Sequence, residues 1–171
     1  MLKYFLNPLK LEETAMQHEQ EIVLNPIGYV KTVAVGDEVK DKALISHIVV
    51  RDELIDGLSG ISDYSHLFVL FYLNQITDDQ RRTLRVHPRG RMDLPMTGVF
   101  AVRTMLRPNP IGLTVVELVS VDGNVLTVKG LDAFDGTPVL DVKPYDPWDI
   151  AENVKVPSWW LKLQEEKQKK L

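Results

Sequence analysis

Cysteine is absent from all 171 residues, which excludes disulfides, thiolate nucleophiles and thiolate metal ligands. Long apolar runs are missing too: stretches such as residues 67–73 fall far short of the roughly 20 residues a helix needs to cross a bilayer. Residues 1–20 scatter Lys3, Lys10, Glu12 and Glu13 among apolar positions and hold no stretch of signal-peptide length, so a cytoplasmic protein without a membrane partner is expected. There is no Gly-x-Gly-x-x-Gly, no Walker loop and no regular strand–helix alternation, which argues against a doubly wound nucleotide-binding sheet. Histidine is scarce, and His18, His47, His66 and His87 lie too far apart for a helix-borne metal motif, so no metal is expected. Acid, base and binding groups therefore have to come from Asp, Glu, His, Tyr, Arg and the backbone.

What remains is ordinary for one globular domain, with 44% hydrophobic and 26% charged residues. A net charge of −4 argues mildly against indiscriminate nucleic-acid binding. Its distribution says more. Arg81, Arg82, Arg85, Arg89, Arg91, Arg103 and Arg107 fall in one segment opposed only by Asp93, enough for a local phosphate-binding field if they share a face.

β signals dominate from Ile22 onward. Strands are expected over 22–35, 43–50, 67–73, 98–103, 113–121, 125–129 and 139–143, the third buried on both faces because it is almost continuously apolar. Thr77 should cap a short helix over 77–84, with Asp78 and Asp79 favouring its dipole. Residues 86–94 read as loop, and Asp122-Gly123-Asn124 as a hairpin turn. A helix from Ser158 to Gln168 should pack Trp159, Leu161 and Leu163 inward. Short strands separated by turns define a mainly β, α+β chain: a small closed β-barrel with peripheral helices, not a Rossmann fold. Residues 1–20 would form an extension, 21–150 the barrel and 151–171 a helical tail. Asn-Pro-Ile-Gly occurs twice, at 25–28 and 109–112, each time introducing a strand.

Three segments stand out chemically. In 103–113, Pro108 and Pro110 fix their own φ and push Arg107 and Asn109 into extended geometry, so a stiff loop should hold both outward. In 130–145, Asp132, Asp135 and Asp141 punctuate an apolar stretch, and a carboxylate near a barrel interior needs a partner; the neighbouring arginines or a ligand would serve. Residues 66–75 form an apolar strand ending in Asn74 and Gln75, whose amides suit an adenine edge.

Taken in order, these segments resemble the TsaA-like (YaeB or TrmO) family of tRNA methyltransferases across residues 26–148. The most specific parts are 107–113 and 132–145, supported by Ile27-Gly28-Tyr29-Val30, Tyr64-Ser65-His66 and Gly98-Val99-Phe100-Ala101. The resemblance implies a barrel that binds S-adenosylmethionine, a homodimer, and N6-methylation of threonylcarbamoyladenosine beside the tRNA anticodon. It implies Asn74, Gln75, Arg103, Leu113, Asp132, Asp135, Gly136 and Thr137 around the cofactor. Thr104-Met105 stands where members commonly carry Ser-Pro, Asn74 where they often carry histidine, and no Val-Pro-Arg-Gln block lies between Thr32 and His47. An exocyclic adenine nitrogen is a poor nucleophile, so an acceptor for its proton is needed; Asp135 and Asp141 are the candidates. His87, Arg89, Arg107 and Asn109 are the candidates for RNA contact. A methyltransferase of the same fold with another acceptor, and a barrel that binds the cofactor without turnover, remain alternatives.

Overall fold

The computed structural model describes residues 21–169; the extension expected over residues 1–20 lies outside them. Six strands close an antiparallel barrel in the order β1 (Gly28–Lys31), β2 (Ile45–Val50), β7 (Val125–Lys129), β6 (Ile111–Asp122), β3 (His66–Tyr72), β8 (Pro138–Pro144) and back to β1. Two further strands, β4 (Arg85–Val86) and β5 (Thr97–Gly98), pair as a small arm between β3 and β6. A short helix α1 (Asp78–Arg81) precedes the arm, and α2 (Ser158–Gln168) ends the described chain. The mainly β, closed-barrel expectation holds, with closure made where Gly28 and Tyr29 of β1 pair with Val139 and Pro138 of β8.

The registers fix which loops meet. Lys31 pairs with His47, Ile45 with Lys129, Tyr72 with Ile111 and Tyr29 with Pro138. Strand directions alternate, so the ends of β1, β3 and β7 and the starts of β2, β6 and β8 all open at one mouth of the barrel.

Inward positions follow the two-residue period: Val30, Ile48, Val50, Leu67, Val69, Phe71, Val116, Leu126, Val128 and Val139 are buried. Leu131 and Ala133 close the mouth, and Leu58 and Ile61, on the 3-10 turns after β2, fill the opposite end. Burying each leucine or isoleucine contributes about 1.5–3 kcal/mol relative to exposure.

Several expectations are corrected. The strand expected over 22–35 shortens to β1, because only Gly28–Lys31 pairs with β2, and only Gly28 and Tyr29 of it also pair with β8. β3 alternates instead of being buried on both faces: Leu67, Val69 and Phe71 are buried inside the barrel, whereas Phe68, Leu70 and Tyr72 are half-buried on its outside. The segment 98–103 is not a strand; it winds into a 3-10 turn over Val99–Ala101 that buries Val99 and leaves Phe100 80% exposed. Thr77 does cap α1, but the helix lasts a single turn. On α2, Leu163 is 6% exposed whereas Leu161 is 47% exposed, because two residues turn a side chain to the opposite face.

Both Asn-Pro-Ile-Gly segments serve one steric need. A side chain at Gly28 would collide with the Val49 carbonyl, and one at Gly112 with the Phe71 ring. Each glycine admits a neighbouring strand that a Cβ would push away.

Candidate binding site at the barrel mouth

The β7–β8 connection crosses the mouth. Leu131, Ala133 and Thr137 point inward and are buried, so the residues between them, Asp132 and the exposed 134–136, face outward. The puzzling aspartates of an apolar segment thus follow from extended-chain alternation. Both ends of the connection are pinned: Gly130 N–H donates to Leu44 O at 2.8 Å, Gly136 N–H to Val30 O at 2.9 Å, and Val30 N–H to Thr137 O at 2.9 Å. Gly136 has φ 73°, and open space lies where its Cβ would be.

Each aspartate finds a partner other than the expected arginines. Asp132 accepts from the hydroxyl of Thr114, a buried residue on the inner face of β6. The second Asp132 oxygen has no partner among the described residues. Asp135 accepts from Thr32 N–H at 3.1 Å and lies 3.7 Å from Lys31 Nζ. It borders a shallow cleft of about 290 Å³ lined by Lys31, Thr32, Val33, Ile45 and His47. Asp141 sits further along β8 beside Leu70, 2.7 Å from Lys143 Nζ, on the outer wall. Leu70 also pairs with Leu113, so Leu113 and Asp141 flank it on that wall.

The double-proline loop arrives at the same mouth. Leu73 N–H donates to Pro110 O at 2.8 Å, placing Asn74 and Gln75, both exposed, next to the loop. Arg103 reaches over and donates to Leu113 O at 2.5 Å. Arg107 departs from expectation. Its guanidinium turns inward and donates to Val99 O at 3.0 Å and Val102 O at 2.9 Å, closing the 3-10 turn. Carbonyls left open by a turn are the nearest strong acceptors for a half-buried guanidinium, so Arg107 braces the loop and Asn109 alone stays exposed.

Asn74, Gln75, Arg103, Leu113, Asp132, Asp135, Gly136 and Thr137 therefore share one end of the barrel, and Asp141 lies on the adjoining wall. His87 and Arg89 sit apart on the arm: His87 Nδ1 pairs with Leu94 O at 2.8 Å, and Arg89 faces α2. Sequence reasoning missed Thr114, although a threonine between Leu113 and Val115 breaks the apolar pattern and was a legible sign. It also missed Lys31, Thr32 and His47, which only barrel closure brings to Asp135.

The arginine field is smaller than its count. Arg81 bonds the Tyr72 hydroxyl, lies over its ring at 5.4 Å and pairs with Asp78 at 3.5 Å. Arg91 forks onto Asp93 and Glu166. With Arg103 and Arg107 held by carbonyls, Arg82, Arg85 and Arg89 are left without a protein partner among the described residues. Arg91 and Lys162 hold the Asp93 carboxyl well below the usual carboxylate range, and Arg91 lowers Glu166 likewise. Among the described residues no three His, Asp or Glu converge as metal ligands, and no helix is long and apolar enough to cross a membrane.

A carboxylate oxygen, two free amides, an apolar wall and a bare glycine backbone suit a ligand with hydroxyls, a positive centre and a flat heterocycle. Fold and site define a small barrel domain that gathers its binding groups from loops at one mouth. The sequence matches the tRNA-methyltransferase O N-terminal domain over residues 37–149, more than half of its length, and the chain belongs to that family. An Archaeoglobus fulgidus protein named S-adenosyl-L-methionine-binding protein is 40% identical over 131 residues, 74% of this chain and 91% of that one. The tRNA (adenine(37)-N6)-methyltransferase of Escherichia coli is 40% identical over 106 residues, 60% of this chain but 45% of the enzyme, so the chain spans less than half of that relative. A crystal structure of TrmO from Pseudomonas aeruginosa superposes with a TM-score of 0.64 at 28% identity, covering 81% of this chain and 63% of that one.

Proposed function

We propose that the protein binds S-adenosylmethionine at the barrel mouth and methylates N6 of adenosine in tRNA, with threonylcarbamoyladenosine beside the anticodon as acceptor. The observation that carries this reading is the bond from Thr114 to Asp132, which ties β6, entered through the double-proline loop, to the aspartate-bearing connection. The residues present fit the cofactor. Asn74 and Gln75 offer amides to an adenine edge. Leu113 and the Arg103 stem give an apolar wall, and the open oxygen of Asp132 suits ribose hydroxyls or a positive centre. Gly136, with open space where a side chain would stand, lets a ligand come close, and Thr137 holds the turn in place through Val30.

S-adenosylmethionine, when bound, supplies a methyl group whose bond to sulfur breaks as a bond to nitrogen forms. The protein's part is alignment, worth up to about 7–11 kcal/mol in ideal cases, and acceptance of the N6 proton. Asp135 and Asp141 are the proposed acceptors; Lys31 lies beside the first and Lys143 beside the second. Asn109 at the mouth and His87, Arg82, Arg85 and Arg89 on or beside the arm would hold RNA, while Arg107 keeps the loop in shape. Exposed Ile111, Leu113 and Val115 form a short apolar row on the outer face of β6, ending at Glu117, which supports a homodimer. A cytoplasmic location is proposed with the tRNA substrate.

The test uses methyl-labelled S-adenosylmethionine and tRNA that carries or lacks threonylcarbamoyladenosine. Label on N6 of the modified adenosine alone is expected. Label in the unmodified tRNA alone would replace the acceptor, and label in neither would overturn the reading.

A further inference from the structure

The second cleft of the molecule lies away from the mouth, where α2 docks on the arm. Its volume is about 390 Å³, and it is lined by Arg89, Trp160, Leu163, Gln164, Lys167 and Gln168. Two features show that it is held in shape. Leu163 is buried beneath the helix, and the helix is riveted by Arg91, which donates to Asp93 at 2.9 and 2.6 Å and to Glu166 at 3.1 Å, while Lys162 reaches Asp93 at 3.0 Å. These four charges cancel one another. Arg89 on the arm and Lys167 on the helix are left as cations without a partner among the described residues, with Trp160 in the same lining and no acid among the six.

Arg89 is also strained. Its φ of 55° lies in the left-handed region, followed by Gly90 at 68°. A non-glycine residue held there is costly, and such strain gathers where a side chain has to be aimed. A flat, partly exposed aromatic that shares a cleft with two free cations and the Gln164 and Gln168 amides matches a nucleobase with its neighbouring phosphates. An acidic peptide would satisfy the cations and leave the indole unused. The arm extends the field, because Arg82 and Arg85 are unpaired as well.

We propose that this cleft is an RNA subsite in which a single-stranded base stacks on Trp160 while Arg89 and Lys167 bind the phosphates beside it. The inference rests on the RNA-methyltransferase reading and adds α2, which lies outside the matched family region of residues 37–149, to the substrate-binding surface. The arm would then grip the RNA away from the reacting base, which enters at the mouth.

The experiment measures binding of a fluorescent anticodon stem-loop RNA to the full chain by anisotropy across a salt series, with thermal melting as the folding control. Trp160→Ala should weaken binding roughly 5- to 150-fold, the effect of losing one base–aromatic stack, and Trp160→Phe should restore most of it. Arg89→Ala and Lys167→Ala should each flatten the dependence of log Kd on log salt by about 0.7. Wild-type affinity in a folded Trp160→Ala protein, or in Lys167→Glu should the alanine variant not fold, would overturn the subsite. Displacement of the RNA by polyglutamate as readily as by unlabelled RNA would do the same. If those variants bind normally while the wild type still methylates tRNA, the subsite alone falls; if the wild type neither binds RNA nor transfers methyl to it, the functional reading falls too.

Discussion

Replacing Thr114 by valine removes one hydroxyl and keeps the side-chain shape on a strand position that is 4% exposed. The valine methyl fills the space, so no cavity opens, and the change isolates the bond to Asp132. A hydrogen bond to a charged group is worth about 1.5–3 kcal/mol, but Asp132 is exposed and water replaces the lost donor, so the stability cost should be nearer 1 kcal/mol. For a chain of this size that lowers Tm by about 2–4 °C. The larger effect should fall on the cofactor. A carboxylate no longer held by Thr114 has to be immobilised on binding, at about 0.5–1.5 kcal/mol, or roughly a 2- to 12-fold weaker Kd for S-adenosylmethionine. Asp132→Ala removes the acceptor itself and should weaken binding about 10- to 150-fold while shifting Tm little more than Thr114→Val does. Isothermal titration calorimetry on the three proteins, beside thermal melts, reads both quantities. Unaltered cofactor affinity in Asp132→Ala would refute the reasoning, because the bond would then be part of the barrel's scaffold and nothing else.

Gly112→Ala drives a methyl into the buried Phe71 ring, and overpacking of that kind should cost about 1–3 kcal/mol, measurable as a lowered urea midpoint with an unchanged slope. Of the two proton acceptors, the one that acts should lose about 10²- to 10⁴-fold in kcat as its Asn variant, with KM for tRNA little changed; equal activity in Asp135→Asn and Asp141→Asn would remove both from the mechanism. The docking of α2 should depend on pH. Arg91 and Lys162 depress Asp93 in the folded protein, so its contribution is complete above the unfolded carboxylate value of about 3.9 and fades as pH falls through the lower folded value. Tryptophan emission from Trp159 and Trp160 should therefore be constant through neutral pH and change only below about pH 4, and a transition near pH 6 would contradict the ion-pair account.

The parts of the fold that were legible in the sequence are those where local pattern and tertiary burial agree. β7 appears as expected at Val125–Lys129, and 139–143 lies inside β8. Where local pattern misled, burial explains the miss. Gly98-Val99-Phe100-Ala101 has strand composition, yet only Val99 has a core to enter, so the chain coils and leaves Phe100 in solvent. The site was half legible. Prolines and aspartates singled out the two segments that meet at the mouth, because stiff loops and alternating acids are local properties. The orientation of Arg107 was not legible, since it depends on carbonyls freed by a turn that composition hid. The Trp160 cleft was out of reach for a related reason: it exists because Arg91 pairs with Glu166, 75 positions away in sequence.

The central claim is that the mouth, with Asp132 at its centre, is where the cofactor binds. Titrating isotopically labelled protein with S-adenosylhomocysteine and following backbone amide resonances tests it most directly. The account predicts shifts concentrated at Asn74, Gln75, Arg103, Leu113 and residues 132–137, with the Arg89–Trp160 cleft unmoved. Shifts confined to the arm, the opposite end of the barrel or α2, or none at saturating ligand, would contradict it.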